Sequence, residues 1–204
     1  MGKVFSEMGM SLDGFIAGPN GGPKNPLGDG GQRIHQWAFQ LASWRERLGL
    51  AGGETNRDDE LVKASYARPG AYVMGRRMFD EGEVGWPDNP PFRVPVFVVT
   101  HKARTPWVRE GGTTFHFVTD GIKSALEQAK AAAGGNDVRI AGGARMVQQF
   151  LNAGLIDELS IHLAPVLLGA GVRLFDQVGP ELALEAVAAI ESPLVTHLKY
   201  QVGK

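Results

Sequence analysis

Residues 138–159 restrict the fold of this chain more than any other stretch. Their sequence, VRIAGGARMVQQFLNAGLIDEL, opens with a short apolar run typical of a buried strand and passes through Gly142 and Gly143 into a helical pattern without a visible loop. Four apolar residues mark one helix face: Met146, Val147, Phe150 and Leu151. Gly154 stands where a helix commonly ends in a left-handed residue. A strand that leads straight into a helix favours an α/β fold.

The same alternation of strand and helix patterns runs along the rest of the chain. Short apolar or alternating runs predict strands at 3–10, 71–74, 94–99, 115–118, 138–141 and 156–165. A helical pattern covers 120–135, with Asp120 as its cap and a glycine stop at its end. A second helix is indicated by an apolar stripe at Trp37, Leu41, Trp44 and Leu48. Strands that alternate with helices indicate a mostly parallel sheet.

The end of the chain predicts an antiparallel hairpin. Residues 182–192 and 194–202 read as two long strands, and Pro193 lies in the tight turn between them. A length of 204 residues is sufficient for one domain with a sizeable core. We therefore predict a single α/β domain over residues 1–204, with a mixed, mostly parallel sheet, flanking helices and this C-terminal hairpin.

Composition argues against several classes of function. A formal net charge of −1 gives no electrostatic basis for binding nucleic acid. No apolar run approaches the roughly 20 residues that span a bilayer, so no membrane partner is expected. The chain has no cysteine, hence no disulfide and no thiolate metal site. The N-terminal MGKVFSEMGM lacks the apolar stretch of a signal peptide, which favours a cytoplasmic location.

Two stretches rich in glycine and polar residues predict loops. Residues 18–31, GPNGGPKNPLGDGG, contain six glycines and three prolines and cannot form a regular element. Residues 49–59, GLAGGETNRDD, predict a second loop. A loop as long as 18–31 in a compact domain is either disordered or functional, for example a lid over a site.

Common catalytic and metal motifs are missing from the sequence. There is no GxxxxGK[ST], HExxH or GxSxG, and no GxGxxG follows a strand. The five histidines are His35, His101, His116, His162 and His197. None pairs with another at the spacing of metal ligands, so we predict no metal and treat the histidines as surface or strand polar residues.

Hydrogen-bond donors follow the ends of three predicted parallel strands. These ends carry residues 75–77, 100–104 and 142–145, and two of the three contain paired cations. Ligands of open α/β sheets bind at the carboxyl ends of the strands. Three donor-rich turns at one edge suit a phosphorylated dinucleotide. The alternative is that each cation only solvates the surface.

Four segments together resemble the dihydrofolate reductase superfamily, in the branch related to the reductase domain of the bifunctional riboflavin-biosynthesis protein. They are MSLDGFIAGPNG (10–21), YVMGRRMFD (72–80), VFVVTHKAR (96–104) and residues 138–171. The resemblance covers nearly the whole chain in order. The last segment is the most specific, because the double glycine, the helix, LIDEL and APVLLG follow one another without a gap.

The resemblance implies NADPH as the cofactor. It assigns the phosphates and adenine to Gly75, Arg76, Arg77, Met78, Thr100, His101 and Lys102. Gly142, Gly143, Ala144 and Arg145 would adjoin the cofactor, and the glycines would allow close backbone approach, often through an unusual peptide conformation. Gly9, Ile16 and Ala17 would surround the nicotinamide. Cations at two turns favour NADPH over NADH.

The residues expected to bind the substrate differ from those of dihydrofolate reductases and of the riboflavin-pathway reductase. The first helical segment, residues 32–39, lacks the acid with which dihydrofolate reductases hold the pterin, which speaks against folate. The riboflavin-pathway reductase has a lysine and a glutamate where this chain has Glu7 and Ala141, which speaks against its phosphoribosyl substrate. Glu7 could instead pair with an amidine-like ring edge, or could be a solvent-facing carboxylate.

These observations predict a reductase that passes a nicotinamide hydride to a C=N or C=C bond of a pterin-, pyrimidine- or flavin-like heterocycle. Candidates for the substrate pocket are Glu7, Asp13, His35 and Trp37; Asp13 could equally brace its own turn. The alternative is a protein that binds a nucleotide or flavin without reducing anything. The terminal hairpin offers a surface for a homodimer, which the family often forms.

Overall fold

The computed structural model describes residues 2–203 as one large sheet with helices on both faces. The strands are β1 (Val4–Ser11), β2 (Phe15–Ala17), β3 (Pro69–Gly75), β4 (Val96–Val99), β5 (Trp107–Val108), β6 (Thr114–Val118), β7 (Asp137–Gly142), β8 (Glu158–Ala164), β9 (Val172–Arg173), β10 (Leu184–Ser192) and β11 (Val195–Val202). The α-helices are α1 (Gln36–Phe39), α2 (Ala42–Arg47), α3 (Arg57–Ala67), α4 (Arg76–Glu83), α5 (Gly121–Ala133) and α6 (Ala144–Asn152). Short 3-10 helices cover Gly31–Ile34 and Glu110–Gly112.

The nine-stranded sheet has the order β10-β11-β8-β1-β7-β3-β4-β6-β5. The six strands from β8 to β6 are parallel, and β11, β10 and β5 run antiparallel to their neighbours. β2 and β9 form a separate two-stranded sheet. The predicted mixed, mostly parallel sheet with flanking helices and a C-terminal antiparallel hairpin is confirmed.

Alternation along β7 separates the two faces of the sheet. Val138 and Ile140 are buried in the main core together with the apolar faces of α5 and α6. Arg139 points to the opposite face, where Trp37 of α1, Leu41 of the segment between α1 and α2, and Val62 of α3 pack together. The polar face of β1 and β7 is therefore enclosed by helices and not by solvent.

The predicted helix with a stripe at Trp37, Leu41, Trp44 and Leu48 is wrong, because the chain forms α1 and α2 with a break between them. Leu41 is extended, and the backbone pairs there with Glu54: the Ala42 amide donates to the Glu54 carbonyl (2.9 Å), and the Glu54 amide donates to the Gln40 carbonyl (2.7 Å). These non-local hydrogen bonds replace those that would have continued the helix.

The second predicted loop, 49–59, is also shorter than expected. Its last three residues form the first turn of α3, where the Asn56 side chain caps the helix by accepting from the Asp59 amide at 3.0 Å. The helix at 120–135 is confirmed as α5, and Gly134 ends it in a left-handed conformation with φ of 58°. Asp120 occupies the cap position, but its side chain makes no capping hydrogen bond.

The glycine-rich loop 18–31 is a folded unit with its own hydrogen bonds. The Gly18 amide donates to the Leu27 carbonyl at 2.8 Å, and the Asp29 amide donates to the Pro19 carbonyl at 2.8 Å. The Asp29 carboxylate accepts from the side chains of Asn20 and Asn25 at 2.7 and 2.8 Å. Backbone approaches so closely that a Cβ on Gly18 would lie 1.9 Å from the Asp29 carbonyl oxygen, so glycine is required there.

None of the helices in the described part of the chain combines the length and apolar character that crossing a membrane requires.

Candidate active site

The carboxyl ends of β1, β3, β4 and β7 meet at one edge of the sheet, because these strands are parallel. β3 leads directly into α4 and β7 leads directly into α6. The residues before these helices, Gly75 and Gly143, provide no side-chain cap. The first amide groups of both helices therefore remain available to an anion at this edge.

Gly142 and Gly143 have different reasons to be glycine. Gly142 has φ of 119°, a backbone conformation that residues other than glycine rarely adopt. A Cβ on Gly143 would meet nothing within 4 Å, and this residue is exposed beside the amino end of α6. The peptide between the two is cis. Because Gly143 is exposed and has open space on its Cβ side, its backbone is open to close approach by a ligand.

The cations at this edge differ in how they are held. Arg76 pairs with Asp80 at 2.6 Å and Arg77 pairs with Glu81 at 2.7 Å, so both are fixed along α4. His101, Lys102 and Arg145 are exposed. The Thr100 hydroxyl is buried and accepts from the Lys102 amide at 3.1 Å, which fixes the turn after β4. The exposed side chains are the ones free to reach an anion.

Gly9, Ile16 and Ala17 lie around the end of β1. Ile16 is buried and Ala17 is partly buried in β2. A Cβ on Gly9 would lie 2.6 Å from Cε1 of His35, so the imidazole packs directly on the Gly9 backbone. The structure thus brings two of the predicted site residues, His35 and Gly9, together. Burial lowers the pKa of His35 to about 4, and this imidazole is neutral at pH 7.

The Asp13 carboxylate is held by hydrogen bonds to the loop at 168–169. Its carboxylate accepts from the Ser11 hydroxyl at 2.6 Å and from the amides of Leu168 and Gly169 at 3.1 and 2.7 Å. The hydrogen bond from Ser11 is the main reason that the pKa of Asp13 falls to about 2. Asp13 thus links its own turn, through Ser11, to the loop at 168–169, whereas the sequence suggested bracing within its own turn through backbone hydrogen bonds.

Glu7 belongs to a buried ion pair on the helix-covered face. Its carboxylate lies 3.2 Å from Nη1 of Arg139 and also accepts from the Ser65 hydroxyl of α3. Only 9% of the Glu7 side chain is exposed. Burial acts to raise the pKa of Glu7, but the charge of Arg139 and the hydrogen bond from Ser65 act against it and the pKa is lowered. Glu7 is neither at an edge nor facing solvent.

Two histidines that are far apart in sequence lie side by side next to this pair. His162 of β8 and His197 of β11 occupy paired positions, and their Nδ1 atoms are 2.7 Å apart. Nε2 of His197 lies 3.1 Å from Oδ1 of Asp58, which also accepts from the Ser192 hydroxyl. Trp37 packs on both imidazoles at centroid distances of 5.3 and 5.1 Å.

Sequence spacing could not reveal this histidine pair, because strand register creates it. Burial is the main cause that lowers the pKa of His162 to about 4. Arg139, Ser65 and Asp58 were missed for the same reason as the histidines. The one signal in the sequence that could have found such residues is a charged or polar side chain in a predicted inner strand, at a position that alternation places on a covered face of the sheet.

Two buried donors on this face have no hydrogen-bond partner. Over residues 2–203, Trp37 Nε1 and Arg139 Nε are the buried side-chain nitrogen or oxygen atoms that lack one. Leaving a buried donor unpaired costs roughly 1–3 kcal/mol. Their presence together marks a face suited to a ligand with hydrogen-bond acceptors. Within the same residues, no cluster of three or more histidine, aspartate or glutamate side chains could hold a metal ion.

Comparisons with known proteins identify relatives of this chain. The family model for the RibD C-terminal domain matches residues 2–196. YyaP, an uncharacterized protein of Bacillus subtilis (strain 168), is 35% identical over 71 residues, which are 35% of this chain and 37% of that protein. The match thus spans little more than a third of this relative's length.

Two solved structures share the fold over almost the entire chain. A protein from Shewanella sp. PV-4 named for riboflavin biosynthesis is 25% identical, with 99% of both chains covered and a TM-score of 0.70. Dihydrofolate reductase from Enterococcus faecalis, solved with NADP(H), is 12% identical, with 99% and 97% covered and a TM-score of 0.54. The second likeness shows the fold alone. With the family model matching nearly its full length, the chain belongs to the RibD C-terminal domain family.

Proposed function

We propose that this protein is an NADPH-dependent reductase of a pterin-, pyrimidine- or flavin-like heterocycle. The observation that carries the proposal is the edge where the uncapped amino ends of α4 and α6 meet the exposed Gly143 backbone. Helix amino ends and open backbone amides bind phosphate groups. A reductase-type function also agrees with membership of the RibD C-terminal domain family.

The residues at this edge fit a dinucleotide phosphate. Backbone amides after Gly75 and Gly143 would hold the pyrophosphate. Thr100, His101 and Lys102 would hold the adenosine end, with Lys102 free to reach a 2'-phosphate. Met78 and Ala144, in the first turns of α4 and α6, would line the same groove, as would Arg145. When bound beside Gly9, Ile16 and Ala17, the nicotinamide would supply a hydride.

The helix-covered face fits the substrate. Trp37 Nε1 and Arg139 Nε offer two unpaired buried donors to the carbonyl or ring nitrogen atoms of a heterocycle. His35 and Trp37 would orient the ring and exclude water. Since Glu7 is already neutralised by Arg139, it would act by orienting that guanidinium and not as a free anion. The folded loop 18–31 would close over the site as a unit.

Lys102→Gln is expected to weaken NADPH binding about tenfold and to leave NADH binding within about twofold, because a charge-assisted hydrogen bond contributes roughly 1.5–3 kcal/mol. Wild-type protein is expected to bind NADPH more tightly than NADH. Both affinities can be read from energy transfer between tryptophan and the reduced nicotinamide. Lys123→Gln, an exposed lysine of α5, is the matched control.

Equal NADPH and NADH affinities in the wild type would contradict the assignment of Lys102. Binding without oxidation of NADPH by any pterin, flavin or pyrimidine would favour the alternative of a nucleotide-binding protein that does not reduce.

The proposal includes a homodimer that covers the C-terminal hairpin. β10 lies at one end of the sheet, and its apolar residues Leu184 and Val187 are 39% and 56% exposed. An edge strand with exposed apolar side chains is a ready surface for a second chain. Light scattering of the wild-type protein is expected to give twice the mass of one chain. The Val187→Glu variant is expected to give the mass of a single chain. A wild-type monomer at micromolar concentration would contradict the dimer.

A further inference from the structure

A continuous chain of hydrogen bonds crosses the helix-covered face from its outer side to His162. It starts at Ser192, which is partly exposed at the end of β10 and whose hydroxyl donates to Asp58. Oδ1 of Asp58 lies 3.1 Å from Nε2 of His197, and Nδ1 of His197 lies 2.7 Å from Nδ1 of His162. Asp58 and His197 are buried, with 8% and 7% of each residue exposed.

The inner end of this chain lies beside the proposed reaction site. His162 is the register partner of Gly9, the residue assigned to the nicotinamide end of the cofactor. The charged and titratable groups that influence His162 come from four other elements and are Glu7 of β1, His35 before α1, Arg139 of β7 and His197 of β11. His162 is partly exposed, whereas His197 is buried, and Nδ1 of His162 contacts His197, so Nε2 is the nitrogen of His162 that remains for a substrate.

The contact between two Nδ1 atoms restricts the protonation states. One Nδ1 must donate and the other must accept. If His197 is charged, both of its nitrogens carry protons: Nε2 donates to the Asp58 carboxylate and Nδ1 donates to Nδ1 of His162. His162 is then neutral, with its remaining proton on Nε2. If both rings are neutral and Asp58 is ionised, Nδ1 of His162 donates and its Nε2 has no proton.

We propose that Asp58, His197 and His162 form a proton relay that supplies the proton for reduction of a C=N bond. The inference rests on the proposed reductase function. His162 gives its Nε2 proton to the substrate nitrogen while the nicotinamide hydride goes to the carbon. The Nδ1 proton of His197 moves to Nδ1 of His162, and His197 becomes neutral with Nε2 still donating to Asp58. One proton and one hydride are consumed, and a proton from solvent recharges the pair.

The Asp58 carboxylate lies beside His197 and not beside His162. It is 3.1 Å from Nε2 of His197, where it can accept the hydrogen bond that the charged ring would donate in the relay. His162 has no carboxylate within hydrogen-bond distance, and its burial favours the neutral ring. In the relay, the proton that is transferred is therefore on the neutral imidazole of His162. The positive charge is on His197, one ring further from the substrate.

Imidazole nitrogen NMR tests the relay without any substrate. From about pH 5 to pH 8, His162 is expected to stay neutral with its proton on Nε2, and the relay requires a form of His197 with protons on both nitrogens. Asp58→Asn is expected to abolish this doubly protonated form, because it removes the carboxylate that accepts from Nε2 of His197. His116, stacked on Phe97 at 5.0 Å, is the internal control whose titration should not move. A neutral His197 throughout, or no effect of Asp58→Asn, would overturn the relay.

Turnover with two acceptors tests the chemical role. Reduction of 7,8-dihydrobiopterin at its C=N bond needs a proton on nitrogen, whereas riboflavin accepts a hydride as the anionic reduced form. His162→Gln is expected to lower the ratio of dihydrobiopterin to riboflavin turnover about 100-fold, since general acid catalysis contributes roughly 10²–10⁴-fold. His116→Gln should leave this ratio unchanged.

The outcomes separate the relay from the proposed function. If His162→Gln leaves the ratio of dihydrobiopterin to riboflavin turnover unchanged, His162 is not the proton donor. An equal loss of turnover with both acceptors would further mean that its role is only structural. If wild-type protein oxidises NADPH with neither acceptor, the proposed function fails for these substrates, and the NMR titration still decides whether the relay exists.

Discussion

Replacing Arg139 by methionine is expected to lower the free energy of unfolding by about 3–5 kcal/mol, the usual cost of removing one partner of a buried ion pair. Methionine retains most of the apolar volume of the arginine but leaves the Glu7 carboxylate buried without its cation. It also removes the hydrogen bond from Nη1 to the Ser65 hydroxyl at 3.1 Å. Urea denaturation of wild type and variant at pH 7 gives the difference directly.

The double variant Glu7→Gln/Arg139→Met distinguishes an uncompensated charge from lost packing. It is expected to recover more than half of the stability lost in the single variant, because no charge is left buried. Arg57→Met, at the exposed start of α3, should change stability by less than about 0.5 kcal/mol. If the double variant is as unstable as Arg139→Met, the Glu7 charge is not the cause.

Glu158→Gln is expected to lower the free energy of unfolding by about 3 kcal/mol at pH 7. The Glu158 carboxylate pairs with Lys3 at 2.6 Å, Arg68 at 3.0 Å and Lys199 at 3.1 Å, and only 7% of its side chain is exposed. Burial acts to raise the pKa of Glu158, but the hydrogen bonds from Lys3 and Lys199 outweigh it and the pKa falls to about 2. A shift of this size from 4.5 corresponds to about 3 kcal/mol.

The effect of Glu158 depends on pH in a defined direction. Because its pKa is lower in the folded state, its stabilisation is fully present above the unfolded value of 4.5 and disappears as the pH falls through about 2. Stability curves of wild type and Glu158→Gln should therefore converge in acid. Glu60→Gln, an exposed acid of α3, should run parallel to the wild type at all pH values. A constant difference between wild type and Glu158→Gln would exclude the carboxylate charge as the source.

The fold was largely predictable because its strands are short apolar runs that alternate with helices. β3, β4, β6 and β7 each matched such a run, and the Pro193 turn matched the hairpin. The break between α1 and α2 was not predictable, since it depends on backbone pairing with Glu54 from outside the helix. Local periodicity contains no information about such a partner.

The sheet edge that we propose for the cofactor could be grouped from the sequence, whereas the polar cluster that we propose for the substrate could not. Donors placed after parallel strands share an edge whatever the details of register, so residues 75–77 and 142–145 could be grouped from sequence. His162 and His197 meet only because β11 pairs with β8 in one particular register. A shift by one residue would have turned His197 to the other face.

The position of β1 in the middle of the sheet has a consequence for biosynthesis. Its neighbours β7 and β8 follow more than half the chain later, so a nascent β1 has no native partner in the sheet until β7, the earlier of the two, has been made. At ~5–20 residues per second, the ribosome needs about 6–25 s to go from the end of β1 to the start of β7. During this interval β1 is an unpaired strand of the kind that aggregates. Ser6, Glu7 and Gly9 interrupt the apolar run of β1, and polar or small residues at such positions reduce the tendency of an unpaired strand to aggregate.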